Sequence, residues 1–142
     1  MTSADRQTVV RKLGYLQKNL QLLDAYQGLT LQEMERSPEK RFSLERLLQT
    51  AVETVIDCSR LLVALEEWRN LRDERDAVLI LGEQGVLPAD LAKRLTRAKG
   101  FRNVLVHEYV EINPTLILEH LKTGLPDSQA FTVAMATWIE KK

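Results

Sequence analysis

Apolar side chains at Val9, Leu13, Leu16, Leu20 and Leu23 recur at spacings of four, three, four and three residues. That period sets them on one face of a helix with a narrow apolar seam, expected from about Ser3 to Gln27 and ended by Gly28. Thr30 and Leu31 open a short helical piece that stops near Arg36. Ser37-Pro38-Glu39 then combines a capping hydroxyl, a proline at the first helical position and an acid in the first turn. The helix begun there carries Leu44, Leu47, Leu48, Ala51, Val52, Val55, Ile56, Leu62 and Val63. Such a wide apolar surface fits packing on more than one neighbour, and the helix is expected to reach Leu65 or Trp68.

A charged stretch from Glu66 to Asp76 surrounds Trp68 and Leu71 and is expected to contain a turn. Ala77 to Leu81 begins the next apolar helix, closed by Gly82 or Gly85. Pro88-Ala89-Asp90 starts another through Leu91, Leu95 and Ala98, and Gly100 either kinks it or separates it from a helix over Arg102 to Tyr109. Asn113-Pro114 is expected to cap a short helix ending near Gly124. Pro126-Asp127-Ser128 then precedes a last helix through Phe131, Val133, Ala134 and Trp138. No alternation of period two is long enough to argue for a sheet, and no internal repeat is present. The expected architecture is an all-α bundle of four to six helices, one domain spanning residues 1–142.

Composition narrows the chemistry. With 44% apolar and 28% charged residues, the chain reads as a globular domain long enough for one core. Twenty basic and twenty acidic side chains cancel, so net charge does not advertise a polyanion partner and any such site must be local. Cys58 is the sole cysteine, which excludes an internal disulfide; its apolar neighbours argue for a small buried residue. His107 and His120 lack metal-ligand spacing, so no metal site is expected. Met1 to Arg6 has no apolar core of signal-peptide type, and no apolar run approaches the roughly 20 residues a membrane span needs. A cytoplasmic protein without membrane contact is the expectation.

The informative phrase is Arg102-Asn103-Val104-Leu105-Val106-His107-Glu108-Tyr109. At about 100° per helical residue, Tyr109, Asn103 and His107 lie near −20°, 100° and 140° from Arg102, one arc of roughly 160°. Phe101, Val104 and Leu105 point the other way, while Val106 and Val110 interrupt the polar arc as a protein–protein contact beside a cleft would. Cleaving RNA requires removal of a proton from a 2′-hydroxyl, stabilisation of charge on phosphorus and protonation of the leaving 5′-oxygen. A histidine titrates in the useful range, and an arginine offers a fixed charge with a fork of donors matched to phosphate oxygens. Asn103 can donate to phosphate or orient the imidazole; Tyr109 can anchor a phosphate or nucleotide. From Leu91 to His107 the chain carries Lys93, Arg94, Arg97, Lys99 and Arg102 with no Asp or Glu, a local basic segment leading into the phrase. Asp57, interrupting an apolar stretch, is a further candidate, although a place on a polar side with Glu53 and Arg60 is the simpler reading. Glu108 is expected to face solvent.

Arg102, Asn103, His107 and Tyr109 resemble the signature of HEPN-domain ribonucleases, in particular the toxin half of HepT/MntA toxin–antitoxin pairs. The likeness extends to the leucine-seamed first helix, to Arg41-Phe42-Ser43-Leu44-Glu45-Arg46, and to Leu81-Gly82-Glu83-Gln84-Gly85-Val86-Leu87-Pro88. The resemblance implies a homodimeric HEPN-type helical bundle and a metal-independent endoribonuclease, the toxin of a type VII-like pair, with Arg102 and His107 catalytic and Asn103 and Tyr109 supporting. It also implies an MntA-type nucleotidyltransferase antitoxin that uses ATP and magnesium to transfer AMP onto Tyr109, so those cofactors belong to the partner and none to this chain. The alternative is a non-catalytic HEPN subunit that binds nucleotide or positions substrate for a nucleotidyltransferase; such a subunit has no need of the full Arg, His and Tyr set.

One imidazole cannot be base and acid at once, whereas a two-fold dimer joining two such phrases supplies two histidines and two arginines to one cleft. Pairing a wild-type subunit with a His107→Ala subunit is therefore expected to abolish most RNase activity, because the shared cleft then holds a single imidazole. Half of wild-type activity or more in that heterodimer counts against a shared cleft.

Overall fold

A computed structural model of the chain describes residues 1–97 and 113–142, and all regular structure among them is helical. The helices are α1 (Ser3–Asp24), α2 (Leu31–Arg36), α3 (Pro38–Leu65), α4 (Glu74–Glu83), α5 (residues 89–97) and α6 (Pro114–Glu140). α1 packs on α3 and α6, α4 packs on α3, and the short α2 touches both α3 and α6. The apolar seam of α1 is the buried one: Val9, Leu13, Leu16, Leu20 and Leu23 are each at most 5% exposed. Asn19, also buried, sends its amide across to the Leu47 carbonyl of α3 at 2.8 Å, which gives a polar group in the core a partner and pins the two long helices in register.

Local signals set the helix ends. Thr2, Thr30 and Ser37 cap α1, α2 and α3, each side-chain oxygen accepting an N–H from three residues on. α4 starts at Glu74, three residues before the apolar run, because the Asp73 carboxylate accepts the Asp76 N–H and opens the helix on charged residues that periodicity cannot register. Gly85, at φ +78°, closes it: the Val86 N–H reaches back to the Leu81 carbonyl and the Gly85 N–H to that of Gly82. Gly82 has another task. A Cβ there would lie 2.9 Å from that of Ala92, so the glycine lets α4 and α5 approach closely.

The expected break between Gly124 and Pro126 is not there. α6 is a single helix with Pro126 inside it. Ile117, Leu121, Leu125, Ser128, Phe131, Thr132, Met135 and Ile139 form one unbroken buried stripe at helical spacing. An interior proline costs about 3 kcal/mol, whereas each large apolar side chain withdrawn from water contributes roughly 1.5–3 kcal/mol. The burial on both sides of the proline outweighs it. Pro126 and Lys122 are both exposed, so the Lys122 carbonyl, which the proline cannot serve, lies on the solvent side.

The connection between α3 and α4 folds back onto its neighbours. Glu67 takes the left-handed conformation at φ +53°, with Trp68 and Glu67 N–H groups closing on the Val63 and Ala64 carbonyls. Trp68 then meets Trp138 of α6 edge to face, ring centres 5.7 Å apart, and Lys142 lies 4.6 Å over the Trp138 ring. Arg69 grips Asp76 with two bonds of 2.6 and 2.7 Å and Glu83 with two of 3.1 and 3.0 Å. Asp76 also accepts the Arg72 N–H at 2.8 Å. The Arg69 guanidinium, with burial opposing, holds the Asp76 carboxyl well below its ordinary 3.8, at about 2. A carboxyl depressed in the folded state contributes stability that is complete above about pH 4 and lost as pH falls through about 2. Asp76→Asn is expected to lower unfolding free energy by roughly 2 kcal/mol at pH 7 and to flatten its pH dependence between about 4 and 2. Denaturant unfolding at pH 7 and pH 2.5 checks this; an unchanged pH dependence in the variant refutes the clamp.

Candidate active site

The phrase that carries the chemistry, Arg102, Asn103, His107 and Tyr109, lies outside the described residues, and so do Lys99, Gly100, Val106, Glu108 and Val110. What the structure gives is the frame on either side. Arg97 is the last described residue of α5, five positions before Arg102 in the chain. At most ~3.6 Å per residue, this keeps their Cα atoms within about 18 Å of each other. On the far side Asn113 caps α6, its side-chain oxygen accepting the Thr115 N–H at 2.9 Å.

Between α3, α5 and α6, with Leu23 of α1 at its edge, lies a cavity of about 260 Å³. Its apolar wall includes Leu48, Ala51 and Val52 from α3, Leu95 from α5 and Leu125 from α6. Arg94, Arg97, His120, Thr123, Asp127 and Ser128 supply the polar groups. The last four stand on α6 within nine residues, and they share a wall only because that helix runs on through Pro126. Gly124 admits the imidazole: a Cβ at that position would lie 3.1 Å from His120 Nε2. Burial holds the His120 pKa down at about 4, against an opposing pull from Asp127, so the ring is neutral at ordinary pH.

The basic character of α5 is partly cancelled in space. Arg94 donates from Nη1 to Asp90 and from Nε to Asp127, each at 2.9 Å. Its pKa is raised by those two bonds. A segment free of acids in sequence thus recruits Asp127 from α6 and Asp90 from its own first turn. Arg97 and Lys93 are exposed on the same helix, and Arg97 forms no ion pair among the described residues.

Two other sequence candidates resolve simply. Cys58 is fully buried, and desolvation pushes its thiol up to about 12, with Lys12 opposing and Asp57 adding to the rise. Such a thiol stays protonated and is no nucleophile. Asp57 itself is exposed on α3 together with Arg60, and Glu53, half-buried, accepts a bond from Gln49. Asp57 thus shares an exposed side of α3 with Arg60. His120, Asp127 and Ser128 were not singled out by sequence, because a helix boundary drawn at Gly124 to Pro126 divides them between two elements. Among the described residues no group of His, Cys, Asp and Glu could hold a metal ion, and no helix is long and apolar enough to cross a membrane.

Comparison with known proteins places this frame. Residues 16–135, which include the whole Arg102–Tyr109 phrase, match the family described as "Ribonuclease HepT-like". A tRNA nuclease HepT from Aphanizomenon flos-aquae is 27% identical over 125 residues, 88% of this chain and 85% of that one. An mRNA nuclease HepT from Shewanella oneidensis is 25% identical over 84 residues, 59% of this chain and 63% of its own length. The fold matches that of the tri-AMPylated Shewanella oneidensis HEPN toxin, solved in complex with its MNT antitoxin, with a TM-score of 0.82, 19% identity, and 96% and 99% of the two chains covered.

Proposed function

The chain belongs to the ribonuclease HepT-like family, and from this we infer that it is a metal-independent endoribonuclease, the toxin of a toxin–antitoxin pair acting in the cytoplasm. The observation that carries the reading is that the matched span contains Arg102, Asn103, His107 and Tyr109 in one phrase, in a chain whose relatives from two organisms are named nucleases. In the reaction, one His107 of a two-fold dimer takes the proton of a 2′-hydroxyl and the freed oxygen attacks the adjacent phosphorus. The P–O5′ bond breaks, and the second His107 returns a proton to the leaving oxygen. Arg102 from each subunit stabilises the charge that develops on the phosphoryl oxygens. Asn103 and Tyr109 hold the phosphate in line. Nothing in this sequence of steps calls on a metal ion.

The partner in this reading is a nucleotidyltransferase antitoxin, supported by the likeness of the fold to a toxin captured with an MNT antitoxin in a tri-AMPylated state. The Tyr109 phenol oxygen attacks the α-phosphorus of ATP bound with magnesium on the antitoxin, and pyrophosphate leaves. If the segment is helical, Tyr109 lies about 20° from Arg102 on one face. The attached AMP then brings a phosphate to Arg102 and its bulk to the cleft, which blocks substrate.

Two measurements test this. Purified protein is expected to cleave RNA in the presence of EDTA, with cleavage falling at least about 100-fold in His107→Ala, the usual scale of a general acid–base contribution. Failure to cleave RNA at any protein concentration favours a non-catalytic nucleotide-binding subunit instead. After incubation with antitoxin, ATP and magnesium, intact-mass analysis is expected to show AMP-sized increments that are absent in Tyr109→Phe. Increments that persist in that variant overturn the assignment of the acceptor.

A further inference from the structure

We infer that the pocket between α3, α5 and α6 is a base-binding subsite that takes one nucleotide of the RNA strand, its base turned inward and its phosphate toward Arg97. This inference rests on the reading of the chain as an RNase and deepens it. Size is the first support: about 260 Å³ lies just below the roughly 300 Å³ at which small-molecule sites begin, room for a single nucleoside rather than a larger ligand. The division of chemistry is the second. Leu48, Ala51 and Val52 form an apolar wall against which a flat ring can lie, and each is at most 6% exposed.

The polar groups suit a base edge. His120 is a neutral imidazole with one donor and one acceptor. Ser128, 7% exposed, has a hydroxyl able to do both, and Asp127 offers carboxylate oxygen while its other duty is to Arg94. A phosphate alone would have no use for the apolar wall, and a purely apolar ligand would gain nothing from Arg97. A splayed base with its phosphate uses both, which is how single-stranded RNA is generally read. Position is the third support. Arg97 lies within about 18 Å of Arg102 along the chain, so a nucleotide in the pocket sits within a few nucleotides of the bond to be cut.

The test uses 2′-O-methyl RNA oligonucleotides, which bind without being cleaved, carrying one abasic position moved along the strand. In the wild-type protein one abasic position is expected to weaken binding at least about five-fold, the worth of one hydrogen bond or more. In His120→Ala and in Ser128→Ala that penalty is expected to fall below about two-fold, while other positions are unaffected. Arg97→Ala, an exposed change that leaves the core intact, should weaken all oligonucleotides alike and flatten the salt dependence of binding. An abasic penalty that is the same in wild type and both pocket variants overturns the subsite. Saturable binding of free AMP tighter than that of any oligonucleotide, lost in His120→Ala, also overturns it, because the pocket then serves a nucleotide rather than a strand. The two readings separate cleanly. Base-dependent binding without cleavage of unmodified RNA leaves the subsite standing and removes the RNase; cleavage without coupling to the pocket does the reverse; no RNA binding at all removes both.

Discussion

The arrangement depends on α6 remaining one helix across Pro126. Its buried stripe from Ile117 to Ile139 keeps the same helical rhythm before and after the proline, so a break at that point would turn one half of the stripe away from α1 and α3. A proline inside a helix removes one hydrogen bond and crowds one carbonyl, and both penalties fall on the exposed side where Lys122 and Pro126 lie. Continuity has a chemical consequence. His120, Thr123, Asp127 and Ser128 advance along one helix at spacings of three, four and one, so they face a single cavity. Two helices meeting at a turn would impose no such register.

The polar interactions divide into those that hold the frame and those that shape the pocket. Arg69, Asp76 and Glu83 form a clamp outside the pocket lining, and its work is to fix the chain between α3 and α4. Asp76 is nearly buried, so pairing there is worth more than at the exposed Glu83, where solvent and salt screen the attraction. Arg94 belongs to the pocket. By bonding Asp90 on its own helix and Asp127 on α6, it ties α5 to the same stretch of α6 that carries His120. A neutral imidazole follows from that setting: the ring is largely desolvated, and the nearby carboxylate is already engaged by an arginine.

Most of the fold was legible in the sequence, for identifiable reasons. The α1 seam, the Thr30 and Ser37 starts and the end of α3 at Leu65 all rest on spacing or capping, which are local properties. Gly85 was one of two glycines that could close α4; which one acts depends on tertiary contact, since Gly82 is needed at the approach to Ala92. The start of α4 was missed because its first turn is charged, and the continuity of α6 because a Gly and a Pro two residues apart read locally as a stop. The stripe through Leu121, Leu125, Ser128 and Met135 was present in the sequence as the counter-signal, hidden by the serine in the apolar register. The Arg102 to Tyr109 phrase is visible in the sequence as residue types and spacing, and it lies outside the described residues. The pocket was not legible, because it needs residues of four helices to exist.

A chain of zero formal charge can still recognise a polyanion if its cations are distributed unevenly. On α5 the sequence gathers Lys93, Arg94 and Arg97, and the fold then separates their roles. Arg94 is held by two carboxylates and becomes part of the architecture, its charge locally balanced. Arg97, five residues from Arg102, stays exposed at the pocket lip, where a phosphate can reach it. Recognition then rests on few phosphate contacts and on what the pocket accepts, so discrimination comes from base shape and hydrogen bonding more than from bulk attraction.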